Sequence, residues 1–477
     1  MMRTFECWQY RLAHEQLECE GAVMARLTRA QQQERTRAAV LAAARQEFAE
    51  RGYADAKIDR IAERAELTRG AVYSNFPSKR ALYLAVLVAA IEQPSPAGAP
   101  ATTGAAEAPG QATAPDAARA PATSGEPPHS SIATRPGAPG EPPRPGTATN
   151  LGTSGEPPHP GTATRPGTSS EPPHPGTATR PGASGGPSLP DAGAGLGAFA
   201  RVWLERLPLS GDTPASGKLQ ARSLAGVFDD EPGRTALGQV ARLEALLLGL
   251  ALEAGLPRHE RRVRLAELAL TLLNGAGHLA ETAPGYGDPF DVVRACRHLA
   301  GLDLADTWDP PYLPFVSPAR SVADPWEPPA ETPDLISRRP AELGADGVIA
   351  VLGAARLEAA EEAVRAARPG DRITVAVVTG DPAEIGRLVR LKVGDLASCL
   401  RLVFAPDAWP GLQLVIDEDA AVASAAGIPH AGDTTEGAVR VRDGRIVARA
   451  VGRGAAHAAT TAGGRTGSVP GHAERDA

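Results

Sequence analysis

Residues 58–83 read IDRIAERAELTRGAVYSNFPSKRALY, and the fold of the N-terminal part turns on them. Ile58, Ile61 and Ala62 recur at helical spacing and predict an inward-facing stripe. A side chain as small as that of Ala62 lets a second helix cross close by at a steep angle. Glu66-Leu67 supply the turn. Thr68 is a good N-cap for a short helix, Arg69 to Asn75, anchored by Leu67 and Val72. Phe76-Pro77-Ser78 ends that helix, and Ser78 caps a further one from Lys79 to about Glu92. Upstream, Thr28 caps a first helix whose Val40, Leu41, Ala44 and Phe48 form one stripe, stopped at Gly52-Tyr53. Four helices in 28–93, the third short and polar at its start, suit entry into a DNA major groove. Arg69 is placed for a two-pronged bond to guanine, and Tyr73, Asn75 and Lys79 stand where phosphates would lie. The competing reading is an ordinary helical hairpin with Tyr73 packed and Lys79 solvated.

Taken in order, VLAAARQEFAERGY (40–53) and 58–83 resemble the N-terminal domain of the TetR family of repressors. The shared features are Val40-Leu41, Ala43-Ala44, Phe48, Gly52-Tyr53, Ile61-Ala62, Ala65, Gly70, Val72-Tyr73, Phe76, Lys79 and Leu82. The resemblance implies a DNA-binding set of Lys57, Thr68, Arg69, Gly70, Ala71, Tyr73, Ser74, Asn75 and Lys79, with Tyr73 and Lys79 on phosphates. It also implies a homodimer on double-stranded operator DNA, repression relieved by a small-molecule effector, and a cytoplasmic, nucleoid-associated protein. Three positions depart from the family pattern. Glu66 replaces the usual turn glycine, which requires a positive φ or an altered turn. Ala56 stands where Thr or Ser commonly caps the second helix, with Asp55 as a stand-in one residue early. Asn75 replaces a frequent His.

Charge distribution agrees with local DNA contact. Between Arg26 and Arg80 twelve Lys and Arg face seven Asp and Glu, a net of +5, which leaves −12 on the rest of a chain whose total is −7. Phosphate neutralisation is a property of one face, so an acidic chain with a basic module remains compatible with nucleic acid. Cys7, Cys19, Cys296 and Cys399 show no C-x-x-C spacing, which suits a reducing compartment without disulfides or a metal site. No apolar run of about 20 residues predicts a membrane span, and residues 1–20 lack a secretory pattern. Residues 1–27 read as an N-terminal arm, with Met24 an alternative start.

The fold class expected is multidomain: an all-α helix-turn-helix and a helical regulatory bundle, a disordered Pro/Gly-rich linker, and a C-terminal α/β domain. Gly (51) and Pro (45) are concentrated in residues 94–195, where a 15-residue unit recurs from Gly125, Gly140, Gly155 and Ser170. Such units bury too little apolar surface to offset the entropy of ordering, and their His129, His159 and His174 form no preorganised metal site. Residues 196–305 return to helical patterning: Phe199, Val202, Trp203 and Leu207; then Leu243, Leu246, Leu247 and Leu250, ending at Gly255; then Val263 to Leu279. This part is read as the dimerisation and effector domain, its His278 and His298 as packed or surface groups. Residues 306–333 read as a linker.

From 334 to 455 strands alternate with helix: 348–352, helix 356–367, 373–378, 412–416, 438–441 and 446–447, the last two joined by Asp443-Gly444. Leu414 to Ile428 and Gly437 to Arg449 resemble a thioredoxin-like, peroxiredoxin-related module. Such chemistry needs a low-pKa cysteine after the first strand, and Gly353-Ala354-Ala355-Arg356 hold none. Residues 456–477 read as a flexible tail. The overall expectation is a DNA-binding regulator, not an enzyme, with no cofactor and no catalytic residues. The alternatives are a thiol-based redox sensor or enzyme using Cys399 or Cys296, and a nonspecific architectural DNA binder.

Overall fold

The computed structural model describes residues 28–92, 192–207, 219, 222–254, 256–257, 260–329, 332–405, 408–409 and 411–462. The expectations for the N-terminal arm, for the 15-residue repeats with their histidines, and for Cys7, Cys19 and Gly255 lie outside the described residues.

Four helices open the fold: α1 (Arg29–Asp55), α2 (Ile58–Arg64), α3 (Arg69–Asn75) and α4 (Lys79–Glu92). Thr28 caps α1 in a reciprocal box with Gln31. Gly52 breaks α1 at φ +69°, and one more helical turn follows. Ser78 Oγ accepts the Ala81 N–H at 2.9 Å, capping α4. Every side chain from Ala81 to Val88 is buried, because α4 is covered on two sides. One side packs on Phe48, Ile61 and Val72, and the other on Val227, Phe228, Leu388 and Leu391. A helix that is apolar all round is an interior helix.

The middle of the chain forms α5 (Ala192–Leu204), α6 (Glu231–Glu253), α7 (Val263–Thr282) and α8 (Pro289–Leu299). α6 is long and apolar enough to cross a membrane by length and mean composition, but its apolar window is mostly buried inside the protein, as in a core helix. α5 starts at Ala192, a turn earlier than the expected boundary at 196.

The rest is a mixed sheet of β1 (Arg320–Pro325), β2 (Gly347–Gly353), β3 (Arg372–Val378), β4 (Leu412–Ile416), β5 (Glu436–Arg442) and β6 (Arg445–Val451), in the order β1-β6-β5-β2-β3-β4. β2, β3 and β4 are parallel, and β5, β6 and β1 run antiparallel to their neighbours. Helices α9 (Ala360–Ala366), α10 (Arg387–Val403), α11 (Ala421–Ala425) and α12 (Ala455–Thr461) complete it. Val348, Ala350 and Leu352 join the core of the four middle helices, while Ile349 and Val351 join Val415, Val439 and Ile446 on the other face. This period of two covers β2 on both faces, as expected of an interior strand, here the one joining the parallel and antiparallel parts of the sheet. Asp443 (φ +48°) and Gly444 (φ +69°) form the left-handed pair of the β5–β6 turn.

Two expectations need correction. The presumed linker 306–333 contains β1, an edge strand ending in Pro325, and the buried Trp326, whose Nε1–H donates to the Leu343 carbonyl at 2.7 Å. Proline is tolerated at a sheet edge, so its presence disguised a strand. The presumed tail contains α12, whose Ala455, Ala456 and Ala459 are buried. Alanine packs a helix close to a sheet without the large side chains that reveal a core in sequence. Arg440 fixes α12 from β5, donating to the carbonyls of Ala459 and Thr460 and pairing twofold with Asp371 at 2.8 and 3.0 Å.

Candidate nucleic-acid interface

α2, the turn and α3 pack as a helix-turn-helix around Ile61, Ala62 and Val72, all buried. α2 gets no side-chain cap from Lys57, and Asp55 does not cap it either. The buried carboxylate of Glu47 accepts the Lys57 N–H instead, at 3.3 Å. In the turn Leu67 N–H returns to the Ala62 carbonyl at 2.9 Å, which forces Glu66 to φ +56°. A non-glycine residue there costs about 1–2 kcal/mol, and glycine is freed of that strain while losing more entropy on folding. Glu66→Gly is therefore expected to stabilise the domain by about 0.5–1 kcal/mol, seen as a higher denaturation midpoint with an unchanged slope.

Thr68 caps α3, its Oγ1 accepting the Ala71 N–H at 3.2 Å. Thr68, Arg69 and Gly70 are exposed at the start of α3. A side chain at Gly70 would meet, among the described residues, only the Thr68 hydroxyl, at 3.8 Å, so this corner has room for another molecule. Arg69 is 61% exposed, rests 3.3 Å from Asp59, and lies 5.6 Å over the Tyr73 ring. An exposed pair of this kind contributes little, so Arg69 can leave Asp59 at small cost. Tyr73 is partly exposed on the same helix.

The other expected contacts are less free. Ser74 Oγ and Asn75 Nδ2 both donate to the Ala71 carbonyl at 2.9 Å. Lys79 donates to the Ala54 carbonyl at 3.0 Å and sits 4.8 Å over Tyr53, and burial lowers its pKa. An ammonium has three donors, so one bond leaves others available. Lys57 is exposed at the start of α2. The structure thus brings Thr68, Arg69, Gly70 and Tyr73 together as an exposed group, while the side chains of Ser74, also exposed, and of half-buried Asn75 are engaged by the Ala71 carbonyl.

Sequence reading missed the groups that hold this module in place. Glu47 is fully buried and faces Arg51, Arg60 and Arg64 at 3.4–3.7 Å. Its signal was available: it falls on the Val40-Ala44-Phe48 stripe, a polar residue where apolar ones belong. Glu384, more than 300 residues away, accepts from Ser78 Oγ and Arg80, and Arg80 also pairs with Asp230. No local pattern announces such a contact.

Residues 40–86 match the family model for bacterial regulatory proteins, tetR family. The match runs from Val40 in α1 to Val86 in α4 and covers about a tenth of the chain. This supports a tetR-type helix-turn-helix at the N-terminus. No curated protein and no solved structure matches the chain.

Proposed function

We propose that this protein is a sequence-specific transcriptional regulator, a repressor that binds double-stranded operator DNA as a homodimer and is released by a small-molecule effector. The observation that carries the reading is Arg69, exposed beside an open Gly70 at the capped start of α3. Selection of bound sites from random duplexes tests it: a palindrome supports the reading, and indifference among duplexes overturns it. On a selected duplex, Arg69→Ala is expected to lower affinity about 10- to 100-fold and to relax preference at one base pair. Lys57→Ala and Lys79→Ala should weaken all duplexes alike and flatten the salt dependence. Anisotropy titrations at two salt concentrations separate the two effects.

The dimer face is read on α7. Leu268, Leu272, Gly275 and Leu279 follow the 4-3-4 spacing of a helix-packing seam, and Leu268 and Leu279 are both 39% exposed. Glycine inside a helix costs about 1 kcal/mol against alanine. A side chain at Gly275 would meet nothing within 4 Å among the described residues, so the packing described within the protomer gives no reason for it. Two α7 helices crossing at Gly275 on a two-fold axis supply one.

Residues 334–455 are read as a thioredoxin-like module without its thiol. β4 leading into Asp417, the short α11 and the Asp443-Gly444 hairpin support that reading. At the expected thiol position Ala354 is buried against the helix-turn-helix core, which fits a docking platform. The redox alternative is disfavoured: Cys296 and Cys399 are buried, and burial raises both thiols, Cys296 to about 11.

A further inference from the structure

We propose that the cleft between the helix-turn-helix and the α/β part binds a small amphipathic organic carboxylate, and that its occupancy lowers operator affinity. The DNA effect rests on the regulator reading above, whereas the binding site does not.

The cleft measures about 480 Å³, within the range of small-molecule sites. Its floor is Leu41 of α1 with Ala85, Val88 and Ala89 of α4, and its far wall is Pro382, Ala383 and the start of α10. Arg37 and Arg387 both line this cleft and both stand over the ring of Phe76, their guanidinium carbons 4.8 and 5.6 Å from its centroid. Neither forms an ion pair with a carboxylate among the described residues. Arg387 donates to the carbonyls of Ala81 and Ala383, both at 3.0 Å. Arg390, also on the wall, is neutralised by Glu418 at 2.7 Å and faces Glu92 at 3.9 Å. Asp381 and Glu418 act on Arg387 only at longer range, while burial and the nearby Arg37 pull its pKa down.

Two guanidinium groups held near each other without a counter-ion, partly out of water, are costly. A ring face compensates a cation only in part. One carboxylate between Arg37 and Arg387 removes the repulsion and adds charge-assisted bonds. The Leu41-Ala85-Val88-Ala89 floor then takes an apolar body, which a bare phosphate or sulfate lacks. A DNA phosphate is the less suitable occupant, because Ala85–Glu92 is the C-terminal half of α4, displaced by roughly 10–20 Å along the helix from Lys79. Arg37 belongs to α1 and Arg387 to α10, so a bridging anion draws the helix-turn-helix toward the α/β part and changes its setting against DNA.

The test uses the full-length protein with octanoate as probe, 1-octanol as its uncharged counterpart, and sodium chloride matched for ionic strength. Octanoate is expected to raise Tm by about 2 °C or more, with octanol and chloride doing neither. It should also weaken a selected operator by about tenfold. Arg37→Gln should abolish both effects. Ala89→Phe, which fills the floor and leaves both arginines, should abolish them independently, so the proposal does not depend on one variant folding. Octanoate acting no better than octanol or chloride, or acting undiminished on both variants, overturns the site. Stabilisation without loss of operator affinity overturns the coupling and leaves the site. If no duplex is selected, the regulator reading fails while the melting experiment still decides the binding site.

Discussion

Glu47→Ala is expected to destabilise the helix-turn-helix by about 3 kcal/mol and to lower its melting by several degrees, with loss of DNA binding. The carboxylate is fully buried, accepts the Lys57 N–H, and faces three guanidinium groups. Removing it orphans the N–H of Lys57, the residue that leads into α2, a helix without a side-chain cap, and leaves a cavity beside Phe48. Arg51, Arg60 and Arg64 are about a third to two-fifths exposed and can turn to water, which keeps the cost at the low end for a broken buried pair. Glu47→Gln retains an acceptor for Lys57 and should lose about half as much. Thermal unfolding followed by circular dichroism, alongside duplex binding, checks both. A near-native Tm for Glu47→Ala would show that the module is held elsewhere.

The second large effect concerns the proposed dimer. Leu279→Arg places two charges near the α7–α7 crossing and is expected to give a monomer. Operator affinity should then fall about 10³-fold, toward the nonspecific level, since one half-site supplies only part of the binding. Gly275→Ala provides a sharper control. In the isolated helix alanine stabilises by about 1 kcal/mol, but at a close crossing its methyl group pushes the helices apart. Opposite signs for monomer stability and dimer affinity are the expected result, read by denaturation and by sedimentation equilibrium. A Leu279→Arg protein that remains dimeric would remove α7 from the interface.

The parts of the fold legible in sequence were those written locally. Thr68, Ser78 and Thr28 announce helix starts through capping chemistry, and the Asp443-Gly444 pair announces a hairpin. β2 to β6 are visible because β-branched runs alternate with helical ones. β1 was concealed by proline at a sheet edge, and α12 by a surface of alanines whose burial depends on a sheet supplied from elsewhere. The displayed residues of α3 were legible because N-capping fixes where a short helix begins. Whether Asn75, Ser74 or Lys79 stands free depends on carbonyls at Ala71 and Ala54, and spacing alone does not encode that choice. The Ser78–Glu384 and Arg80–Asp230 contacts join distant segments and leave no local trace.

The docking of α4 bears on how this polypeptide tolerates rearrangement. α4 is seated by Leu388 and Leu391 and tied by Glu384, Arg387 and Arg338, the last reaching the Ile91 carbonyl at 3.0 Å. All of these partners come from the distant C-terminal half, so register between the halves does not require the peptide segment joining Glu92 to Ala192. A break in the chain between Glu92 and Ala192 would leave every one of these contacts in place.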